Sequence, residues 1–290
     1  MRYTITFLAA TLIGTSAMAE VPRVVTDFGP IQSLVIQVMG DLGTPDVLLP
    51  AGGDPHDFQM KPSQAQALAD ADLIFWDGPE LMPALGDAIA TLGENGKAID
   101  LLRDGGGKTR MFDGDEGMDP HAWLDPTNAH AWLATIAAEL SAKDPGNAAR
   151  YTANAAAAQS AIAAMDAEVA AQLAPVKDKP FVVFHDALGY FADHYDLQVA
   201  GAIELSDASD PSASQLTEIQ TLLRDKQAVC VFPEAGRDPA LVAAVVEGTD
   251  ARIGEGQDVE ALTIDAGPAQ YDLLIRGLAK TLVDCLGAAD

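Results

Sequence analysis

Residues 147–174 have the sequence NAARYTANAAAAQSAIAAMDAEVAAQLA, and this segment determines how we divide the rest of the chain. It contains neither Gly nor Pro, and it is dominated by Ala, the strongest helix former. Asp144 and Pro145 before it are typical of a helix start, and Pro175 after it ends the run. At a rise of about 1.5 Å per residue, such a helix spans roughly 42 Å. We interpret the segment as a rigid linker between two domains; one more packed helix is the alternative.

Apolar strand-like runs alternate with helical stretches on both sides of this segment, a pattern typical of α/β folds with a mostly parallel sheet. The predicted strands before the segment are residues 23–26, 46–49, 73–76 and 97–101. The predicted strands after it are residues 181–184, 197–203, 228–233 and 261–265. We therefore predict two Rossmann-like α/β lobes, residues 20–142 and 177–290, with the linking helix in residues 143–176.

The first 19 residues have the three parts of a secretory signal peptide. Arg2 precedes an apolar run over residues 5–13, and residues 17–19 form the small-residue pattern Ala-Met-Ala. The apolar run is about half as long as a membrane-spanning helix requires. We therefore expect cleavage after Ala19 and export of a soluble protein to the periplasm.

The composition excludes several classes of function. The chain has 17 Lys and Arg against 43 Asp and Glu, which gives a formal net charge of -26. Because nucleic-acid binding needs cations that displace the counterions of the phosphates, we predict no nucleic-acid partner. Apolar residues make up 49% of the chain, too many for a disordered acidic protein, so we expect a folded chain. We also expect it to be a monomer.

The only two cysteines, Cys230 and Cys285, both lie late in the chain. In an exported protein an even pair favours one disulfide over two free thiols, with a reduced pair as the alternative. Their wide spacing does not fit a Cys-x-x-Cys redox motif or a zinc finger.

Three of the five histidines lie where a ligand-binding crevice is expected. His56 comes after the predicted strand 46–49, His185 directly follows 181–184, and His121 opens a helix after an acidic loop. In open α/β sheets ligands bind outside the carboxyl ends of the strands, so these side chains converge if the two lobes face each other. The sequence therefore predicts an imidazole-rich site between the lobes.

Two acidic residues end predicted strands of the second lobe, namely Glu234 and Asp265. Three imidazoles with one carboxylate suit tetrahedral Zn²⁺, whereas Mn²⁺ or Mg²⁺ would favour more carboxylate oxygens. His130 lies inside a helical run, and His194 lies at a helix end that we expect to be solvated. We interpret both as structural rather than as ligands.

Several segments resemble the ligand loops of the metal-specific solute-binding proteins of ABC transporters, the cluster A-I family. The most specific is Asp-Pro-His-Ala-Trp-Leu-Asp-Pro at residues 119–126. Asp-Pro-His-Asp-Phe at residues 54–58, followed by Lys-Pro-Ser, resembles the first loop, and residues 185–191 are similar to the third. Residues 232–234 and 264–267, with Tyr271 after them, match the last two loops more loosely. The resemblance covers nearly the whole chain after the signal peptide.

This resemblance implies two lobes bridged by a long helix, with the metal in the cleft. His at the third position, here His185, goes with the zinc-binding subgroup, whereas Glu goes with manganese proteins. The resemblance therefore implies capture of Zn²⁺ and its delivery to a permease in the inner membrane. It also implies a disulfide between the two cysteines. The implied ligands are His56, His121, His185 and Asp265.

The fourth ligand and the residues around the site have alternatives. Glu234 or a water could replace Asp265 as the fourth ligand, and Asp57, Asp186 or Glu234 could orient the imidazoles. The residue before the first histidine, Pro55, stands where some zinc proteins of the family have an acidic candidate ligand.

The acidic loop at residues 104–118 contains no His, unlike the His-rich loop of many zinc proteins of the family. It could dock a periplasmic zinc chaperone, with a flexible solvated loop as the alternative.

We also weigh a manganese-binding or other divalent-metal homologue, a periplasmic zinc hydrolase and an adhesin. The chain lacks His-Glu-x-x-His and Gly-x-Ser-x-Gly, so we predict that it is not an enzyme.

Overall fold

The structure is a computed structural model that describes residues 20–56, 58–112, 117–205, 211–225 and 227–288. The predicted signal peptide, residues 1–19, lies outside the described residues, and so does Asp57. In the described part of the chain, every helix is too short or too polar to cross a bilayer.

Two parallel sheets form the framework of the described residues. The first sheet has the order β2-β1-β3-β4 and contains β1 (Val24–Thr26), β2 (Asp46–Val47), β3 (Leu73–Trp76) and β4 (Lys97–Asp100). The second sheet has the order β6-β5-β7-β8 and contains β5 (Phe181–His185), β6 (Val199–Glu204), β7 (Cys230–Val231) and β8 (Arg252–Ile253). The predicted α/β class with two parallel sheets is confirmed.

Helices connect and cover the strands. Those of the first half of the chain are α1 (Gly29–Met39), α2 (Pro62–Asp70), α3 (Pro83–Leu92), α4 (Leu101–Asp104) and α5 (Pro126–Lys143). Those that follow are α6 (Ala148–Leu173), α7 (Gly189–Tyr195), α8 (Ala213–Arg224), α9 (Ala240–Val246) and α10 (Gln270–Leu286). Short 3₁₀ turns lie at Gly40–Leu42, Gly93–Asn95 and Ala122–Leu124.

The long helix α6 lies between the two sheets in sequence and contacts helices from both halves of the chain, α1 and α5 before it and α10 after it. Its buried side chains recur every three or four residues, as on one face of a helix. They are Tyr151, Ala155, Ala158, Ile162, Met165, Val169 and Leu173. Because α6 packs along its length, it is part of the hydrophobic core as well as a connection between the two halves of the chain. The boundaries of the two lobes on either side of it stay a prediction.

The start of α6 differs from the predicted one. Asn147 is the N-cap residue, and the helix begins at Ala148 rather than near Pro145. Asp144 instead ends α5, where its N–H donates to Leu140 O over 2.8 Å. Its carboxylate is fully buried and accepts bonds from the Asn147 amide and the Tyr151 hydroxyl. That side chain therefore holds the turn between α5 and α6.

The predicted strand at residues 261–265 is wrong. The fourth strand of the second sheet is β8, only two residues long, and residues 261–265 form a loop. In this loop the Asp258 carboxylate accepts the N–H groups of Leu262 and Thr263 over 2.6 and 2.8 Å. It also accepts the Thr263 hydroxyl. These local hydrogen bonds take the place of the backbone hydrogen bonds that a strand would make to its neighbour in the sheet.

The hydrophobic core is continuous between the two sheets. Phe181 and Val183 point to one face of β5 and belong to the same buried cluster as the side chains of the first sheet. Val182 and Phe184 point to the other face and pack in a second cluster that includes side chains of α8 and α9. This alternation follows the period of two in a strand. The two sheets are therefore joined through packed apolar side chains rather than through α6 alone.

Cys230 in β7 and Cys285 in α10 form a disulfide, with their Cα atoms 6.4 Å apart. Both cysteines are buried. The disulfide therefore ties the second sheet to a helix that also packs against α1 and α6.

Candidate metal centre

Three predicted ligands converge at the carboxyl ends of the strands. His185 is the last residue of β5, His56 lies in the loop after β2, and His121 is the N-cap of the 3₁₀ turn Ala122–Leu124. One ring nitrogen of each histidine lies within 4.8 Å of those of the other two. His121 and His185 are buried, with 0% and 2% of their surface exposed. Sequence positions up to 129 residues apart thus meet in one place.

The motif at residues 119–126 explains how His121 is held. The Asp119 carboxylate lies 2.8 Å from His121 Nδ1 and also accepts the His121 backbone N–H over 3.0 Å. Asp125 caps α5 by accepting the Thr127 N–H over 2.8 Å. The guanidinium of Arg110 donates to the other oxygen of Asp119 over 2.9 Å. The first aspartate therefore orients the imidazole, and the second begins the following helix.

His185 is held in the same way from the second sheet. Its Nδ1 lies 2.7 Å from Glu234 Oε2, in the loop after β7. Because an ionised carboxylate only accepts hydrogen bonds, Asp119 and Glu234 place the proton of their imidazoles on Nδ1. The Nε2 lone pairs of His121 and His185 then face each other across 3.1 Å. Two such lone pairs repel each other unless a cation lies between them.

This spacing fits a tetrahedral ion. With Zn–N distances of about 2.0–2.1 Å, two nitrogens of a tetrahedral zinc site lie about 3.3 Å apart. The observed 3.1 Å between His121 Nε2 and His185 Nε2 is close to that value. The donor set of imidazoles with Nδ1 held by carboxylates is the usual arrangement of histidine ligands to zinc. The residues present therefore suit a zinc ion.

Glu260 lies in the loop after β8 and was not among the predicted ligands. Its carboxylate reaches the histidine cluster. Glu260 Oε1 lies 3.1 Å from His56 Nε2, and Glu260 is only 4% exposed. Burial raises the pKa of Glu260, and His56 beside it partly offsets that shift. Asp54, His56 and Glu260 form a second group of ligand atoms within 4.8 Å of one another.

The loop around Glu260 contains a left-handed residue and is held by buried hydrogen bonds. Ala261 has a φ of 59°, in the left-handed region that costs a residue with a Cβ about 1–2 kcal/mol. The Trp123 indole N–H donates to Val259 O over 2.9 Å, and the Tyr271 hydroxyl donates to Trp123 O over 2.8 Å. These buried bonds connect the loop that carries His121 to the loop that carries Glu260.

Some of the predicted residues lie elsewhere. Asp265, the predicted fourth ligand, is exposed, and neither group of potential ligand atoms includes it. Asp186 is half-buried, which raises its pKa, but Glu234 rather than Asp186 contacts the ring of His185. Asp57, a further predicted orienting residue, lies outside the described residues.

The two remaining histidines lie outside both groups of ligand atoms. His130 is exposed on α5. His194 ends α7 and has its two ring nitrogens 2.7 and 3.3 Å from the carboxylates of Asp166 and Asp125. It therefore links α7 to α6 and to the start of α5, rather than lying in solvent.

The acidic loop crosses towards the second sheet. Met111 and Met118 pair as an antiparallel bridge, and residues 113–116 between them lie outside the described residues. The Arg110 backbone N–H donates to the Tyr190 hydroxyl over 2.7 Å, and its guanidinium donates to Asp193 over 3.0 Å. The base of this loop is therefore anchored to α7 next to the histidine cluster.

Comparisons with known proteins identify the family. The family model described as "Zinc-uptake complex component A periplasmic" matches residues 24–285. The chain is 46% identical to the high-affinity zinc uptake system protein ZnuA of Paracoccus denitrificans, over 96% of this chain and 97% of that protein. It is 36% identical to the protein of the same name from Brucella abortus, over 97% of each. A crystal structure of a zinc-bound ZnuA deletion mutant matches with a TM-score of 0.80 at 26% identity, over 93% of this chain and 100% of that chain. The resemblance seen in the ligand loops is confirmed, and the chain belongs to the ZnuA family of periplasmic zinc-uptake components.

Proposed function

We propose that this protein captures Zn²⁺ in the periplasm and delivers it to the membrane permease of an ABC transporter for import. The observation that carries the proposal is the convergence of His56, His121 and His185, whose ligand atoms lie within 4.8 Å of one another. Membership of the ZnuA family supports zinc as the cargo and the periplasm as the compartment. The predicted signal peptide at residues 1–19 is consistent with export.

We propose Glu260, rather than Asp265, as the carboxylate ligand. It is buried beside His56, whereas Asp265 is exposed. The group of three histidines does not include Glu260, so its coordination of the same ion requires the carboxylate to turn towards that ion. Three neutral imidazoles and one carboxylate then complete a tetrahedron around Zn²⁺ with a net charge of +1.

A complete tetrahedron also favours transport over catalysis. A zinc hydrolase keeps one coordination position open for the water that attacks its substrate. With Glu260 in the fourth position, the ion has no water to activate. We therefore propose that the protein is a carrier and not a periplasmic hydrolase.

Release requires that the ligands separate. Pulling the two sheets apart would expose the apolar cluster that is continuous between them, at about 25 cal/mol for each Å² of apolar surface. The loop that carries His56 has fewer buried residues than the elements that carry His121 and His185. We therefore propose that the permease releases zinc by moving the His56 loop. Docking of a zinc chaperone at residues 104–118 stays a prediction.

A competition titration tests the proposed function. Protein stripped of metal with a chelator is titrated with Zn²⁺ and with Mn²⁺ against a chromophoric chelator. We expect one tightly bound Zn²⁺ per chain and much weaker binding of Mn²⁺, because imidazole-rich sites favour zinc over manganese. Tighter binding of Mn²⁺ would support the manganese alternative, and no tight site for either ion would contradict the proposal.

A matched pair of variants tests the fourth ligand. Glu260→Gln is expected to lower the zinc affinity by about 100-fold, roughly a quarter of the binding free energy of a four-ligand zinc site. Asp265→Asn removes the same charge from an exposed position and is expected to change the affinity less than about twofold. The same chelator competition measures both. Asp265 is the ligand if the order of the two effects is reversed.

The carboxylates that orient the imidazoles are expected to contribute less than the ligands. Asp119→Asn and Glu234→Gln keep the size of each side chain, but an amide can donate as well as accept a hydrogen bond, so the preference for a proton on Nδ1 is weakened. We expect zinc affinity to fall by about 10- to 100-fold in each variant. Asp193→Asn, which removes the exposed partner of Arg110 without contacting an imidazole, is the control. Wild-type affinity in both variants would show that these carboxylates do not set the tautomer.

A further inference from the structure

The two groups of potential ligand atoms overlap at one residue. The inner site comprises His56, His121 and His185, and the outer site comprises Asp54, His56 and Glu260. In the inner site two of the three residues are buried, whereas in the outer site two of the three are half-buried. The outer site therefore lies nearer the solvent, with His56 common to both.

The outer site has the chemistry of a divalent-cation site. It offers two carboxylates and one imidazole, a donor set that zinc and harder divalent ions accept. Glu260 is 4% exposed, and its Oε1 has no hydrogen-bond donor among the described residues other than the nearby His56 ring. A carboxylate oxygen buried in this way is costly unless a cation or donor reaches it. That oxygen is therefore available to a metal ion.

Asp54 is held in place before an ion arrives. Its Oδ1 accepts the backbone N–H of His56 over 2.9 Å, which fixes the carboxylate next to the imidazole. Its Oδ2 lies 3.4 Å from Arg237 Nη2, and Arg237 Nε lies 3.6 Å from Glu234 Oε1. The guanidinium therefore lies between Asp54 and Glu234, the carboxylate that contacts His185.

We infer that Asp54, His56 and Glu260 form a first binding station, from which the ion passes to the inner site. The inference rests on the proposed function and adds the route by which the ion reaches its final ligands. His56 and Glu260 stay bound throughout, while His121 and His185 replace Asp54. The ion is thus never without protein ligands, and its remaining waters are lost in steps rather than at once. Only coordination bonds form and break.

The first experiment isolates the outer site. In the double variant H121A/H185A, the inner site is removed while Asp54, His56 and Glu260 remain. We expect this variant to bind one Zn²⁺ per chain, at least 1,000-fold more weakly than the wild type. Adding Asp54→Asn is expected to abolish that binding, whereas adding Asp46→Asn, an exposed acid earlier in the same segment, is not. Equal binding by the double variant with and without Asp54→Asn would overturn the inference.

The second experiment avoids changes to buried histidines. In the otherwise wild-type chain, Asp54→Asn is expected to slow zinc association about tenfold, as measured by stopped-flow mixing with a fluorescent zinc chelator. The matched variant Asp46→Asn removes the same charge and shows how much of any slowing comes from long-range attraction. If both variants associate at the wild-type rate, or are slowed equally, Asp54 does not bind the arriving ion.

The outcomes separate the two proposals. Absence of a tight zinc site in the wild-type chain defeats the proposed function itself. Tight wild-type binding with an unchanged association rate in Asp54→Asn defeats only the outer station. Tight wild-type binding with a slowed Asp54→Asn and an unslowed Asp46→Asn supports both.

Discussion

Replacing His185 by Ala is expected to lower zinc affinity by about 1,000-fold. Apparent zinc-binding free energies of four-ligand sites are about 10–16 kcal/mol, so one ligand contributes roughly 3–4 kcal/mol, or about 100- to 1,000-fold. The upper end applies here because the Glu234 carboxylate, which contacts His185 Nδ1, orients that imidazole and makes it a stronger ligand. The measurement is a competition titration of metal-free protein against a chelator of known affinity.

Two comparisons keep that result interpretable. His130→Ala removes an exposed histidine on α5 and is expected to leave zinc affinity unchanged. His56→Ala removes a ligand that is only half-buried. It should therefore lower zinc affinity while destabilising the metal-free fold less than His185→Ala does. Thermal unfolding with and without Zn²⁺ checks folding independently, since a ligand at 100 times its dissociation constant stabilises by about 2.7 kcal/mol. Wild-type affinity in folded His185→Ala would show that the metal binds elsewhere.

The histidine ligands could be found from the sequence because their signals are local. His185 ends a strand of β-branched and aromatic residues, and His121 lies in a motif whose two aspartates have separate tasks. The strands β3 and β5 were predicted within one residue at each end because each contains four consecutive apolar residues. Such runs indicate a buried parallel strand without any knowledge of its partners.

Glu260 could not be found in that way. It lies in a loop whose shape depends on contacts from distant residues, such as the bond from Trp123 to Val259. The turn at Ala261 uses a left-handed conformation, which a Gly would have indicated but an Ala does not. The Asp258 carboxylate holds residues 258–263 in a loop. In the sequence, however, Asp258 cannot be distinguished from an ordinary solvent-exposed acidic residue. The strand β8 was missed because Arg252 and Ile253 do not lie in a longer apolar run, whereas Cys230 and Val231 of β7 do.

The disulfide is expected to have the largest effect on stability. The double variant C230A/C285A should lose about 4 kcal/mol of unfolding free energy, from the chain entropy released when a loop of this length opens. The two cysteines are 55 residues apart in sequence, and both are buried, so smaller alanine side chains add a packing loss. Urea unfolding of the metal-free protein measures the difference.

Reduction provides the matched control for this variant. Wild-type protein in excess dithiothreitol should unfold at a urea concentration near that of C230A/C285A, while the variant should not respond to the reductant. The disulfide lies in β7 and α10, and its loss should act on stability more than on zinc binding. Glu234 follows β7 by three residues and pairs with Gln257, and β7 remains paired with β5 and β8 on either side. We therefore expect the zinc affinity of the folded variant to change less than about threefold, far below the effect of losing one histidine. A larger loss would mean that the disulfide, rather than the sheet, positions the partner of His185.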